Sequence, residues 1–147
     1  MKQMSKVIIA TDLSENAKAA ARWASRYGGT DGCEVVVVHV TELSVANWAS
    51  GAYEMLEDDE LRHKAERKVR AWYVDATGED PSEVDVRVGT AQIQLAEAAE
   101  EHGADCLVMS RSGKTQWVKF WIGSTAKAMA SDPPCNVVLV HPEHAEP

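Results

Sequence analysis

The stretch CEVVVVHV, residues Cys33–Val40, is the part of the chain that decides the fold class. Four consecutive valines leave no alternation of apolar and polar positions, and such a run is typical of a strand covered on both faces. Strands of this kind belong to parallel sheets that lie between two layers of helices. The run therefore predicts a strand inside an α/β protein.

Four further apolar runs are candidate strands of the same sheet: KVIIAT (Lys6–Thr11), EVDVRV (Glu83–Val88), DCLVMS (Asp105–Ser110) and NVVLVH (Asn136–His141). Only EVDVRV alternates, with valines on one side and Asp85 and Arg87 on the other. Alternation suits an edge strand with one partly exposed side. We therefore expect this run at the edge of the sheet.

Helical segments separate these runs, and glycine or proline residues follow each of them. Ser14 and Thr90 are good N-cap residues for the first and third segments. In the third segment, Ile93, Ala96 and Ala99 are expected to face inward. The predicted helices cover Glu15–Tyr27, Tyr53–Thr77, Ala91–His102 and Ser124–Ser131.

Alternation of strand and helix requires a parallel sheet with right-handed crossovers. We expect a single α/β domain over residues 1–147, with a doubly wound, Rossmann-like, five-stranded parallel sheet of order 3-2-1-4-5 and helices on both faces. Ligands of such folds bind outside the carboxyl ends of the strands, where the strand order reverses. The residues to inspect are Thr11 with Asp12, Val40 with Thr41, Gly89, and the stretch after Met109.

Composition and charge narrow the class of function. The formal net charge is −8, and an acidic surface repels phosphate backbones, which disfavours general nucleic-acid binding. No apolar run approaches the roughly 20 residues that span a bilayer, and the N-terminal stretch lacks the pattern of a signal peptide. We therefore expect a cytoplasmic protein.

The three cysteines, Cys33, Cys106 and Cys135, form no CxxC pair and have no Cys/His ligand spacing. This argues against a structural zinc site or a disulfide framework. We expect reduced, buried cysteines that act as small apolar residues. His39 is expected to be a satisfied core or strand-end histidine rather than a base, and no Ser/His/Asp spacing points to efficient catalysis.

The sequence SGKT, Ser112–Thr115, looks like the end of a phosphate-binding P-loop. That motif needs a glycine five residues before the glycine of GK[ST], and Val108 occupies the position. The P-loop interpretation therefore fails.

Two strand ends leave alternatives open. Asp12 either holds a Mg²⁺ ion or a ribose hydroxyl, or it caps the first helix together with Ser14. Gly113, Gly123 and Ser124 either surround an anion at the start of the last helix, or they form a connection in which Ser124 only caps that helix.

Over almost its whole length the chain resembles the universal stress proteins, in the stretches KVIIATDLSENAKAAARWA, VVVVHV, LAEAAEEHGADCLVMSRSG and GSTAKAMASDPPCNVVLVHP. The ATP-binding branch of that family carries a glycine, two residues, a second glycine, nine residues, and then Gly-Ser or Gly-Thr. Gly113 matches the second glycine, and Gly123 with Ser124 matches the end of the motif. Ser110 stands in place of the first glycine.

The resemblance implies a site for ATP, or for ADP or AMP, with Mg²⁺ as a second ligand. The nucleotide would be a regulatory ligand in a stress response, and hydrolysis would be slow at most. Asp12 would coordinate the metal or sit beside the ribose, and Val40 would present its backbone to adenine. The implied nucleotide-binding residues are Thr11, Asp12, Val40, Met109, Ser110, Gly113, Gly123, Ser124 and Thr125.

Ser110 departs from the family pattern in one of two ways. If the backbone there has a positive φ, or if ribose presses on Cα, a side chain weakens binding, and the left-handed conformation alone costs about 1 kcal/mol. If φ is ordinary, the hydroxyl is free to bond the ribose. The alternative to nucleotide binding is a nucleotide-free, dimeric interaction module of the same fold.

Two segments suggest partners. In the family the last strand pairs two subunits, so the resemblance implies a homodimer through Asn136–His141. Trp117, Phe120 and Trp121 form either a surface for a protein partner or a lid over the end of the sheet.

Overall fold

A computed structural model of the chain describes residues 4–28, 32–42, 45–49, 51, 53–54, 57–112 and 122–141. The described strands are β1 (Lys6–Thr11), β2 (Glu34–Glu42), β3 (Glu83–Gly89), β4 (Cys106–Ser110) and β5 (Asn136–Val140). The described helices are α1 (Lys18–Trp23), which continues as a π-helix over Ala24–Gly28, α2 (Val45–Ala49), α3 (Asp59–Thr77), α4 (Ala91–His102) and α5 (Ser124–Ser131).

The five strands form one parallel sheet in the order β3-β2-β1-β4-β5, as predicted. β1 lies at the centre, where Val7 pairs with Val35 of β2 and with Cys106 of β4. β3 lies at one edge, which confirms the interpretation of its alternating pattern. The order reverses at β1, because the chain builds β2 and β3 on one side of it and β4 and β5 on the other.

Each face of the sheet covers its own apolar core. Successive residues of a strand point to opposite faces, so Val7 and Ile9 belong to one core, while Ile8 and Ala10 belong to the other. The first core also contains Ala20 and Ala21 of α1 and Val69, Trp72 and Tyr73 of α3. The second contains Leu95, Ala98 and Ala99 of α4 and Ala126 and Met129 of α5.

The first two predicted helices, α1 and α3 of the structure, begin later than expected, and the short helix α2 was not predicted. Glu15–Ala17 form a turn, and Ser14 Oγ accepts a hydrogen bond from Ala17 N at 3.1 Å, so that regular helix starts only at Lys18. α3 begins at Asp59 rather than Tyr53, because Asp58 Oδ1 accepts bonds from the N–H groups of Glu60 and Leu61. The Asp58 carboxylate therefore caps α3, whereas the prediction of Ser14 as the N-cap of the first helix was wrong: the N-cap of α1 is Ala17, which makes no side-chain capping bond.

The bounds of α4 match the prediction, but its predicted inward face was wrong at Ile93. Ile93 is 53% exposed, whereas Leu95, Ala98 and Ala99 are buried. The buried set follows the spacing of a helical stripe, and Ile93 lies nearly opposite Leu95 on that helix. Thr90 is the N-cap residue, although its side chain makes no capping bond. None of the helices that the structure describes is long and apolar enough to cross a membrane.

The polar side of β3 holds an ion network. Asp85 Oδ2 accepts hydrogen bonds from Arg87 Nε at 3.0 Å, from Arg87 Nη2 at 2.9 Å and from His102 Nε2 at 2.8 Å. Burial raises the pKa of the Asp85 carboxyl, but the bonds from Arg87 and His102 outweigh it, so the pKa lies below its ordinary value. The alternation of apolar and polar residues in β3 therefore places Asp85 and Arg87 on one side of the strand, where they are hydrogen-bonded to each other and to His102 of α4.

Asp85→Asn is expected to lower the free energy of unfolding near pH 7 by about 1–3 kcal/mol, because a charged acceptor is lost from Arg87 and His102. A carboxylate whose pKa is lowered on folding stabilises the protein above its unfolded pKa and loses that contribution as the pH falls through the folded pKa. The difference between the two proteins should therefore shrink below about pH 4. Urea unfolding of both proteins, followed by circular dichroism at several pH values, measures this difference in the free energy of unfolding.

The control is Asp80→Asn, since Asp80 is exposed and lies 3.6 Å from Arg70 in a surface ion pair. This change should leave the free energy of unfolding within about 0.5 kcal/mol. A cost of Asp85→Asn that stays constant through the acid range would contradict the role of the charged carboxylate.

Cys106 is buried at the start of β4, and Cys33 and Cys135 are half-buried, all as free thiols. Burial raises the pKa of the Cys106 thiol to about 11. Thiolate is the reactive form, so near pH 8 Cys106 should react with iodoacetamide at least about 100-fold more slowly than an exposed thiol. Peptide mass spectrometry of timed samples gives the rate. Equal labelling of Cys106 in the native and urea-unfolded chains would show that the thiol is not protected.

Candidate functional site

A cavity of about 520 Å³ opens at the carboxyl edge of the sheet, above β1, β2 and β4. This is the size expected of a pocket for a small molecule. It lies where the strand order reverses, and the helices that follow β1 and β4, α1 and α5, pack on opposite faces of the sheet. The fold thus creates a crevice at the predicted edge.

Every predicted nucleotide-binding residue that the structure describes lies in the wall of this cavity. Gly113 lies outside the described residues, as do Trp117, Phe120 and Trp121. The predicted residues in the wall are Thr11, Asp12, Val40, Met109, Ser110, Gly123, Ser124 and Thr125.

Asp12 is held by a tight turn after β1. Its Oδ1 accepts a hydrogen bond from Ser14 N at 3.0 Å, and Thr11 Oγ1 accepts one from Leu13 N at 2.9 Å. Leu13 has a φ of 66°, the only positive value at a non-glycine residue in the described chain. The alternative in which Asp12 caps the first helix does not hold, because that helix begins at Lys18. The turn orients the carboxylate at the cavity wall, and its bond to Ser14 uses one oxygen.

Ser110 ends β4 with an ordinary backbone conformation, since it is absent from the positive-φ residues of the described chain. Its hydroxyl donates to Ser112 O at 2.8 Å, and Ser112 N lies 3.4 Å from the same Oγ. Of the two cases open in the sequence, the ordinary φ is the one found. Serine is therefore accommodated without left-handed strain, and its proton bonds a local carbonyl.

The start of α5 presents backbone donors to the cavity. Gly123 is the N-cap residue, with no side-chain capping bond, which rules out the alternative that the Ser124 side chain caps this helix. The first N–H groups of a helix have no acceptor within it, and its N-terminus carries a partial positive charge. Gly123 has φ −63° and ψ 153°, so any residue could adopt its conformation.

Several wall residues were not predicted. His39 lies at the end of β2 with Nδ1 2.9 Å from Thr11 O, so this nitrogen carries the proton and donates to the carbonyl. Asn47 Nδ2 donates to Glu42 O at 2.5 Å, which ties α2 to the end of β2. β2 extends two residues past the predicted Val40, and this extension is what brings Glu42 to the site.

Arg111 and Ser112 follow β4 directly and also line the cavity. Their position after a buried strand is the signal that could have identified them. Ser112 is 4% exposed, and its Oγ has no hydrogen-bond partner in the described chain.

The charged groups of the described wall are Asp12, Glu42 and Arg111. No group of three or more His, Cys, Asp or Glu residues within the described ranges could hold a metal ion. A Mg²⁺ ion is commonly held by one or two carboxylates together with phosphate oxygens and water, and Asp12 supplies one such carboxylate. The wall thus combines backbone N–H groups, hydroxyls and a single oriented carboxylate.

Solved structures share the architecture that surrounds this cavity. Protein MJ0577 superposes with a TM-score of 0.73 at 20% identity, over 98% of this chain and 100% of that one. A universal stress protein in complex with cAMP gives 0.62 at 20% identity, over 96% and 99% of the two chains. The universal stress protein of Archaeoglobus fulgidus in complex with dAMP gives 0.58 at 20% identity, over 95% and 99%. These likenesses show the fold.

Sequence comparison gives the family. A universal stress protein of Thermus aquaticus is 29% identical over 136 residues, which cover 91% of this chain and 96% of that protein. Universal stress protein MJ0531 of Methanocaldococcus jannaschii is 27% identical over 143 residues, covering 92% and 81%. The sequence profile of the universal stress protein family matches residues 4–141. The chain therefore belongs to the universal stress protein family.

Proposed function

We propose that the protein binds ATP or a related adenine nucleotide, with Mg²⁺, as a regulatory ligand in a stress response. The observation that carries this proposal is the cavity at the reversal of strand order, which joins the Asp12 carboxylate to the donor-rich start of α5. Relatives of the same fold in complex with cAMP and dAMP support an adenine nucleotide as the class of ligand.

The phosphates would lie against the first turn of α5. Backbone N–H groups there favour an anion, and the hydroxyls of Ser124 and Thr125 add further donors. Gly113 and Gly123 would let the phosphates approach the backbone. Mg²⁺ would bridge phosphate oxygens and Asp12, with water completing its coordination.

The nucleoside would lie over the ends of β1 and β2. Val40 would present its backbone to adenine, as the family resemblance implies, while Thr11, Met109 and Ser110 would contact the nucleotide from the strand ends. Hydrolysis would be slow at most, so that the bound nucleotide acts as a signal.

Ser110 bears on the choice between this proposal and a nucleotide-free interaction module. Because its φ is ordinary and its hydroxyl bonds Ser112 O, it introduces no backbone strain that would oppose binding. The interaction module remains the second candidate, favoured by Trp48, which is 74% exposed and whose ring is tilted against that of Tyr53, with 5.3 Å between the ring centroids.

Titration calorimetry of nucleotide-stripped protein tests the proposal with Mg²⁺-ATP and with AMP in the absence of metal. Asp12→Asn keeps an acceptor for Ser14 N but removes the charge. It should weaken Mg²⁺-ATP binding at least about tenfold and change AMP binding little. Gly123→Val should weaken both, because its side chain enters the space at the helix start.

The matched control is Asp132→Asn at the opposite end of α5, which should bind both nucleotides as the native protein does. Ser110→Gly should also bind like the native protein, since serine causes no left-handed strain. If the native protein binds neither nucleotide while Ser110→Gly binds both, the site has lost nucleotide binding through Ser110, and the interaction module is favoured. If neither protein binds, the nucleotide proposal fails.

We also propose a homodimer formed through β5, the last strand of the sheet. In the described chain β5 pairs with β4 on one side only, and its side chains from Val137 to Val140 are half-buried. Pairing of this edge with a second copy would protect exposed backbone groups. Light scattering should therefore give about twice the chain mass of 16.1 kDa. A mass near that of one chain at micromolar concentration would contradict it.

A further inference from the structure

The turn after β1, which carries Asp12, has a strained backbone. Leu13 has a φ of 66°, a conformation that residues with a side chain seldom adopt, and such strain persists only where the surrounding structure holds it. Thr11 Oγ1 accepts a hydrogen bond from Leu13 N, and Asp12 Oδ1 accepts one from Ser14 N at 3.0 Å. Each of these bonds joins residues two positions apart. They fix the shape of the turn, but not its position against the rest of the protein.

Trp72 of α3 makes a hydrogen bond to this turn from a distant part of the chain. Its Nε1 donates to Ser14 O at 3.1 Å, across a separation of 58 positions. Trp72 is 7% exposed and belongs to the core on the α3 side of the sheet, so little water competes for this bond. Because Ser14 N is bonded to Asp12 and Ser14 O to Trp72, one residue connects the carboxylate of the cavity wall to α3.

A second contact from α3 holds the same segment. Lys18, the first residue of α1, is 7% exposed, and its Nζ donates to Glu15 Oε1 at 2.7 Å and to the carboxylate of Asp75. Asp75 and Trp72 are three residues apart on α3, so they lie on the same side of that helix. Two contacts from one side of α3 therefore determine where the segment between Asp12 and α1 lies.

We propose that Trp72 is a positioning residue for Asp12, which through Ser14 holds the carboxylate where a metal-bound nucleotide needs it. Mg²⁺ demands nearly ideal octahedral geometry, so the position of a carboxylate ligand matters more for a metal-bound nucleotide than for a metal-free one. Trp72 itself does not line the cavity in the described chain. This inference rests on the proposed nucleotide site and places one of its determinants in the apolar core, away from the loops of that site.

The test is titration calorimetry with Mg²⁺-ATP and with metal-free AMP on the native protein, Trp72→Phe, Asp12→Asn and the double variant. Trp72→Phe keeps an aromatic ring and removes the N–H donor. It should weaken Mg²⁺-ATP binding at least about fivefold and leave AMP affinity within about twofold of native. In the Asp12→Asn background it should cause no further loss of Mg²⁺-ATP affinity, because the charged carboxylate that it positions is already gone.

The matched control is Trp23→Phe, the same exchange at the last residue of α1. Trp23 packs against the same core, and its ring lies 5.6 Å from that of Tyr27, at the end of the helix away from the turn. This variant should bind both nucleotides within about twofold of the native protein. If it weakens Mg²⁺-ATP binding as much as Trp72→Phe does, the effect comes from lost packing, and the positioning role is overturned.

The remaining outcomes separate this proposal from the nucleotide site itself. If Trp72→Phe binds Mg²⁺-ATP as the native protein does, weakens AMP binding equally, or causes the same loss with and without the Asp12 carboxylate, the positioning role is overturned and the nucleotide site stands. If the native protein binds neither Mg²⁺-ATP nor AMP, both proposals are overturned.

If Trp72→Phe does not fold, the hydrogen exchange of the Trp72 indole N–H in the native protein, followed by NMR, replaces the variant. Coupling between two sites is reciprocal, so Mg²⁺-ATP should slow this exchange at least about threefold relative to AMP. Equal exchange rates with the two nucleotides would overturn the positioning role.

Discussion

The burial of β1 on every side is the constraint on which the rest of the structure depends. This strand is hydrogen-bonded to β2 and to β4, and its residues from Val7 to Ala10 are buried between the two cores. A strand in that position has no free edge and no polar face, so only the residues at its carboxyl end can contact a ligand. Because the order reverses at β1, the chain continues from β1 to one face of the sheet and from β4 to the other, and a crevice lies between the two strand ends. The site is therefore a consequence of the topology.

The backbone of Arg111 then sets the shape of that crevice. It is bonded to Val140 on one side and to Gly123 on the other, which brings the end of β4, the end of β5 and the start of α5 into one hydrogen-bonded unit. The turn after β1 is similarly fixed. Leu13 takes a left-handed conformation that costs about 1 kcal/mol, and the bonds of Thr11 and Asp12 to the following N–H groups offset it.

Most of the fold follows from apolar runs, because a buried strand tolerates few polar residues. The prediction was weakest at helix starts, where a single side-chain bond can decide the boundary, as it does at Asp58. Ile93 was assigned to the buried face because several apolar stripes can be drawn along this helix. The structure shows that the buried stripe contains Leu95 and Ala98, which leaves Ile93 on the exposed side. The helix starts and the buried helix face depend on tertiary packing, which the spacing of apolar residues in the sequence does not reveal.

The site was predicted at strand ends for a similar reason: parallel topology brings all carboxyl ends to one edge. Glu42 was missed because β2 extends past its apolar run into polar residues, and Asn47 because it lies on α2, a helix that was not predicted. His39 was assigned to the strand, and only its position at the cavity was missed. Ser112 could not be singled out, since a serine within a loop carries no sign of burial. Its burial depends on the two backbone bonds of Arg111, which are made by residues far apart in the chain.

The exchange of the family's first glycine for Ser110 changes how the loop is held. A glycine there would leave Ser112 O without the hydroxyl that bonds it at 2.8 Å. With serine, that carbonyl is satisfied inside the protein, while the Ser112 side chain keeps its own donor unused. The two serines thus differ, since the Ser110 hydroxyl bonds within the loop and the buried Ser112 hydroxyl has no partner in the described chain. Ser110 therefore departs from the motif without left-handed strain, because its backbone does not require glycine, and its hydroxyl adds a bond within the loop.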